Sequence, residues 1–368
     1  MRFERLLICL CGLIYGVFLT NAPLLGAESD FQTPQEILTL SADSEKQVNF
    51  QGIRKFKRHF GEKVYTGKAR VFHQIPDRWR LEFLEPEIRK GEILILDGKR
   101  FWRSPREKGQ TFRHRGLRPR FETKEIERLV SNYDVEIEGE EEIAGRKAFV
   151  LRCTGKHLGR PSLTLWVDKE NFLKLKEERL SPDGKITYSA EFEDIEFRGV
   201  ISPQHFQPPP GTKMREKLRR NQELNLAQAA SQLDFDVLLP KSLPQGFELG
   251  RVLIKRKGGE AVLHLAYTDG LAQISLFEGI SERTPPSSAE SQVLHQGKSV
   301  SINERGHFNL LRLKQNHVNI TLISEIPRRE LINMITSLEE FTPEEEGEKE
   351  SGEHSFKKGG EKIGEIQF

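Results

Sequence analysis

Apolar and polar residues alternate with a period of two over most of the chain, and each alternating run predicts a half-buried strand. The runs are VYTGKARVFHQ, DRWRLEFLEP, GEILILDGKRFW, KAFVLRCTGK, SLTLWVDK, FLKLKEERL and ITYSAEFEDIEF, separated by turn signals such as Asp97-Gly98 and Ser181-Pro182-Asp183-Gly184. Short turns between such runs predict an antiparallel meander rather than a series of parallel crossovers. Two segments break the period. Thr33-Pro34-Gln35-Glu36 is a capping box with proline at the first helical position, opening a helix that carries Ile37, Leu40 and Ser44 on one side. In Glu122 to Tyr133, helical spacing of Ile126, Leu129, Val130 and Tyr133 predicts a second helix. The fold class these patterns predict is α+β: a curved antiparallel sheet packed over helices, followed by a smaller β-rich α+β domain.

The second part of the chain is strand-rich as well. HLAYTDGLAQISLFE mirrors itself about Asp269-Gly270, the residues a tight two-residue hairpin turn favours. That turn would pair Thr268 with Leu271, Tyr267 with Ala272, Ala266 with Gln273, Leu265 with Ile274 and Leu263 with Leu276. One face is then apolar, and the other, with His264, Gln273 and Ser275, is mixed enough to meet a partner. Further strands are expected at QVLHQGKSVSI, FNLLRLKQ and HVNITLIS, and a closing amphipathic helix from Arg328 to Leu338. Pro208-Pro209-Pro210-Gly211 marks a boundary, which divides the chain into residues 28–211, a linker over 212–234, a second domain over 235–340 and a charged tail over 341–368.

At 368 residues the chain is long enough for two cores, and 57 Lys and Arg against 55 Asp and Glu leave no global field to draw in nucleic acid. A cationic start, an apolar run from Leu6 to Leu19 and small residues ending at Ala27 have the layout of a secretory signal peptide over residues 1–27, with an uncleaved anchor as the alternative. Export follows. Cys9 and Cys11 fall in that segment, so Cys153 is alone in the remainder and reads as a half-buried strand residue.

Catalytic patterns are lacking. No His-Glu-x-x-His or Cys-x-x-Cys occurs, and Gln292 stands where a phosphate loop ending at Gly297-Lys298-Ser299 needs glycine. Ser162 and Ser181 have no adjacent base, and His264 and His317 are single histidines in strands. No enzyme activity, metal or cofactor is expected. Two non-catalytic features stand out. The segment Lys99 to Phe121 is basic and aromatic, with Arg100, Arg103, Arg113, Arg115 and Arg118 as candidates for an anionic surface such as lipopolysaccharide, or else a solvated hairpin tip. Trp79, Leu81, Phe83, Leu94, Leu96 and Trp166 are either core residues or the lining of an apolar cleft for lipid.

LLPKSLPQGFEL, HLAYTDGLAQISLFE and NHVNITLISEIPRRELINMITSL, in this order, resemble the carboxy-terminal domain of the MucB/RseB family, regulators of extracytoplasmic-stress sigma factors. GEEEIAGRKAFVLRC and LTLWVDKENFLKLKEERLSPDGKI resemble its amino-terminal domain, which shares the fold of the lipoprotein carrier LolA. The resemblance implies a periplasmic protein whose first domain is a LolA-like curved antiparallel β half-barrel with packed helices and a cleft suited to acyl chains, and which binds the ectodomain of an anti-sigma factor and hinders its proteolysis until envelope damage relieves that protection. A LolA-like lipid or lipoprotein carrier would account for the first domain alone. The Arg-rich segment and the charged tail match no motif of the family.

Overall fold

In the computed structural model the described residues are 33–98, 100–104, 123–211, 215–216, 224–257, 259–280 and 291–342. The signal segment, Arg113, Arg115, Arg118 and nearly all of the charged tail lie outside them. Helix α1 (Pro34–Ser44) starts at the expected capping box, with the Thr33 side chain accepting from the Glu36 N–H and the Glu36 carboxylate accepting in return. The meander follows as β1 (Phe50–Phe60), β2 (Lys63–Gln74), β3 (Arg78–Glu85), β4 (Ile93–Asp97) and β5 (Arg100–Arg103). Helix α2 (Thr123–Asn132) interrupts it, and β6 (Tyr133–Ile143), β7 (Arg146–Gly155), β8 (Ser162–Asp168), β9 (Lys174–Leu180), β10 (Ile186–Phe197) and the short β11 (Arg215–Glu216) complete it.

Among the described residues these strands form one open antiparallel sheet of eleven, with β11 and β6 at its edges and β1 hydrogen-bonded to β10 across its middle. Strands β1 and β6 are absent from the alternating runs picked out above. Four of the five residues over Arg54–Arg58 are cationic, and β6 carries acids through most of its length. Charge on the solvent side hides an alternation that Phe50, Phe56 and Phe60, or Tyr133, Val135 and Ile137, still keep.

Three apolar clusters use this sheet. Helices α1 and α2 bury Ile37, Leu38, Ile126 and Leu129 against Leu151, Leu163 and Leu165. A second cluster joins Phe50, Val71, Trp79, Leu81, Phe83, Leu94, Trp166, Leu175 and Phe192. On the opposite side of β2, β4 and β5, Phe72, Ile95 and Trp102 are covered by Ile201 and Phe206. Each large apolar side chain so buried contributes about 1.5 to 3 kcal/mol.

The remaining elements are α3 (Leu226–Ala230), β12 (Leu238–Pro240), β13 (Glu248–Lys257), β14 (Glu260–Thr268), β15 (Gln273–Gly279), β16 (Ser291–His295), β17 (Lys298–Arg305), β18 (Phe308–Gln315), β19 (Val318–Ser324), α4 (Arg328–Thr336) and β20 (Leu338–Glu340). Strands β13 to β19 make a second antiparallel sheet in the order β13-β14-β15-β19-β18-β17-β16, and β12 pairs with β20 beside it. The core of this sheet already includes Ala229 of α3, with Leu224 and Leu226 packed against it, so apolar packing starts inside the stretch read as a linker.

The hairpin forms with a different register from the expected one. Its loop is four residues long, and β14 pairs with β15 as Thr268 with Gln273, Tyr267 with Ile274, Ala266 with Ser275 and Leu265 with Leu276. The cause is local. The Asp269 carboxylate accepts from the N–H groups of both Leu271 (3.0 Å) and Ala272 (2.7 Å), closing a wider turn over its own backbone. A slip of two residues keeps every side chain on its face, but it moves Glu278 opposite Leu263 on the apolar side.

Candidate functional site

On the first sheet the rings of Phe50, Phe56, Trp79 and Phe192, with Ala69, Val71, Leu81, Leu173 and Tyr188, surround a cavity of about 20 Å³. That is room for little more than one water molecule. Its polar corner is built by Arg54, whose guanidinium donates to Glu177 at 2.8 Å while Lys174 donates to the other carboxylate oxygen at 2.7 Å. Burial alone would raise the Glu177 carboxyl, but Lys174 and Arg54 outweigh it and hold the group below its ordinary range. Of the six residues proposed to line a lipid cleft, Trp79 and Leu81 face this cavity. Phe83, Leu94 and Trp166 belong to the same apolar cluster, and Leu96 packs against it half-buried. The Trp166 indole N–H donates to Glu141 at 2.8 Å, and the Lys176 ammonium lies 3.9 Å from its ring centre.

The tip of the β14–β15 hairpin is inserted into the first domain. Leu271 is a member of the apolar cluster under α1 and α2. Asp269 is fully buried, accepts from the Tyr133 hydroxyl at 3.0 Å and lies 3.5 Å from the Arg160 guanidinium. Arg160, itself buried, makes a two-pronged pair with Glu330 of α4 (2.9 and 2.8 Å) and donates to the Gln245 carbonyl at 3.0 Å. Asn132 at the end of α2 donates to the carbonyls of Gly246 and Asp269, at 3.2 and 3.1 Å. Burial pushes the Asp269 carboxyl up, against the opposing pull of the Leu271 and Ala272 N–H groups, Tyr133 and Arg160. Gly270, at φ +104°, sits so close to α2 that a Cβ there would lie 2.5 Å from the Leu129 nitrogen.

Beside this junction the domains part. A cleft of about 640 Å³ opens between the turns at Gly61-Glu62, Ser181–Lys185 and Gly306-His307, floored by Glu325. Arg179 bridges the two features, donating to the Leu271 carbonyl at 3.0 Å and pairing with Glu325. Burial lowers the His307 imidazole, so it is neutral near pH 7.

The residues expected to meet a partner separate in this structure. Gln273 is exposed and Ser275 half-buried, but His264 is buried, with its ring stacked 4.3 Å from Phe277 and its Nδ1 3.4 Å from the Lys255 ammonium. Arg100 and Arg103, expected to face an anion, are paired with Asp97 (2.7 Å) and Glu92 respectively. Cys153 is buried and its thiol is pushed up to about 12 by that burial, which keeps it protonated at neutral pH. Of the junction residues, Tyr133 is expected only in a helix, though it begins β6, and Asp269 only in a turn, while Arg160 and Glu330 carry no expected role. A basic residue in GRPSL beside an apolar run was their one sequence signal, and nothing along the chain links it to Glu330, 170 positions away.

An open curved sheet with two helices on one side, joined through a buried polar junction to a second sheet, defines a two-domain α+β protein. The family model for the MucB/RseB N-terminal domain matches residues 103–210, and that for the MucB/RseB C-terminal domain matches residues 227–339. The chain belongs to the MucB/RseB family. It is similar to the sigma factor AlgU regulatory protein MucB of Pseudomonas aeruginosa, 25% identical over 201 residues that cover 54% of this chain and 58% of that protein. An uncharacterized protein of Methanocaldococcus jannaschii is 21% identical over 261 residues, 67% of this chain and 76% of its own length. In fold the chain resembles MucB in the crystal structure with MucA(peri), with a TM-score of 0.59 and 21% identity over 84% of this chain and 100% of that one. MucB in the Pseudomonas aeruginosa MucA/MucB complex has a TM-score of 0.58 at 21% identity, covering 84% of this chain and 99% of that one. No helix among the described residues is long and apolar enough to cross a membrane.

Proposed function

We propose that this protein is an exported, periplasmic regulator without catalytic activity, which binds the ectodomain of an anti-sigma factor and responds to lipid or lipoprotein stress in the envelope. The observation that carries the reading is the second domain. A lipid carrier requires only the first sheet, whereas here the β14–β15 tip is part of the first domain's core and both domains align with a MucB solved together with MucA. The exposed Gln273 and the half-buried Ser275 on the mixed face of the hairpin are the proposed partner contacts.

Lipid sensing rests on the first sheet. Its cavity accommodates an acyl chain only after Trp79, Leu81, Phe56 and Phe192 separate, and each methylene then buried returns roughly 0.8 kcal/mol. Ligand uptake in this reading is coupled to a change of shape, which is what a sensor requires.

The test is a pull-down of the anti-sigma ectodomain of the same organism, using the protein from residue 28 onward with both domains present. Binding that Gln273→Lys weakens, with an unchanged melting temperature, is the expected result. An ectodomain that fails to bind the intact protein overturns the reading.

A further inference from the structure

The cleft between the domains has a chemistry of its own. Beside it Phe60 at the end of β1 meets His307 of the β17–β18 turn and Phe308 at the start of β18, with ring centres 6.4 and 6.5 Å apart and the latter two rings 4.1 Å apart. His307 and Phe308 line the cleft, with Ile186 41% exposed beside them, and Phe60, 39% exposed, supports the two rings from outside the lining. Around it stand the carboxylates of Glu62, Asp183, Glu304 and Glu325, and the lining holds a single ammonium, Lys185.

The counter-ions do not close the site. Lys185 pairs with Asp183 at 2.7 Å with 82% and 56% of the two side chains exposed, and Arg328 reaches Glu304 from outside the lining with 44% and 63% exposed. Pairs as wet as these are worth little and exchange readily for another cation. Arg179 holds Glu325 from behind, and Arg58 is turned onto the Tyr188 ring, 5.6 Å from its centre. Carboxylates and aromatic rings lining one cleft can take a guanidinium or ammonium, by ion pairing with the acids and by cation–π contact with a ring. The volume, about 640 Å³, suits a few residues of extended chain.

We infer that the interdomain cleft binds an extended peptide segment carrying arginine or lysine side chains, seated on His307 and Phe308, which Phe60 supports, and paired with Glu62, Asp183 and Glu304. The inference rests on the regulator reading for its natural source, a basic stretch of the anti-sigma ectodomain. Since Arg179 ties Glu325 to the Leu271 carbonyl, a cation arriving at Glu325 competes directly with a contact of the junction.

Fluorescence anisotropy with the full chain from residue 28 tests it. The probes are a labelled alanine peptide with two arginines and the same peptide with glutamates in their place. Saturable binding of the arginine peptide alone is expected, weakened about tenfold by Glu62→Lys with Glu304→Lys and by Phe60→Ala. Glu196→Lys, at the far end of β10, serves as the control and should leave binding unchanged. All the replaced side chains are exposed, and thermal melts verify folding. Equal binding by wild type and both cleft variants, or no binding, overturns the inference. Competition by the ectodomain separates the two proposals. If the ectodomain binds but is indifferent to the cleft variants, the cleft assignment falls and the regulator reading stands; if the peptide binds and the ectodomain does not, the reverse holds.

Discussion

The two domains meet in two ways within a short distance, and the contrast is instructive. At the junction Asp269, Arg160 and Leu271 are closed off from water, every prong of the Arg160–Glu330 pair is used, and a glycine permits backbone contact. At the cleft the same two domains present more charge, yet leave about 640 Å³ between them. Charge therefore does not decide whether the domains close. What decides is whether each charged group finds a partner of fixed geometry once dehydrated, since an unpaired buried charge costs several kcal/mol while an exposed pair contributes almost nothing. The junction fixes the relative position of the sheets; the cleft remains available to a ligand.

Breaking the junction should have the largest effect. Gly270→Val places a β-branched side chain at positive φ and against the Leu129 backbone, and should cost more than about 3 kcal/mol, measured by chemical denaturation. Stability near that of wild type would mean that the hairpin tip is not seated on α2. Arg160→Ala strands Asp269 and Glu330, and the expected loss is about 3 to 5 kcal/mol.

A buried acid away from the junction sharpens the contrast. Glu278 is enclosed by the second core, accepts only from the Leu238 N–H at 3.0 Å among the bonds described, and is pushed up to about 8 by burial. A raised folded value means that the acid's contribution is fully present below its unfolded value and is lost as pH rises. Stability should therefore fall between about pH 4.5 and pH 8, by at most about 1.4 kcal/mol per pH unit. Glu278→Gln should flatten that slope in urea titrations across the window, and an unchanged slope would assign it to other groups.

Smaller effects follow. Tyr133→Phe removes one hydrogen bond from the buried Asp269 and should cost about 1 to 2 kcal/mol by thermal melting. Glu304→Gln at the cleft should change stability by less than about 0.5 kcal/mol, because its pair with Arg328 is exposed.

Much of the first sheet was legible because its strands alternate and its turns carry Asp-Gly or Pro-Asp-Gly. The capping box placed α1 to the residue, and Ile126 and Leu129 placed the buried side of α2. Local patterns fall short where charge masks periodicity, as in β1, in β6 and in β13, whose ELGRVLIKRK ends in a cationic run. The hairpin faces survived an error in register only because the slip was even. His264 shows the limit for sites: its strand position was correct, but stacking by Phe277 and the approach of Lys255 come from neighbouring strands. The junction was beyond reach for the same reason, since it depends on partners between 85 and 170 residues apart.

Isothermal titration of the intact two-domain protein, from residue 28 onward, with the anti-sigma ectodomain of the same organism decides whether it is a regulator. A saturable heat signal, weakened by Gln273→Lys without loss of thermal stability, is the predicted result. No heat of binding by the folded protein, at concentrations where both components remain soluble, would contradict it.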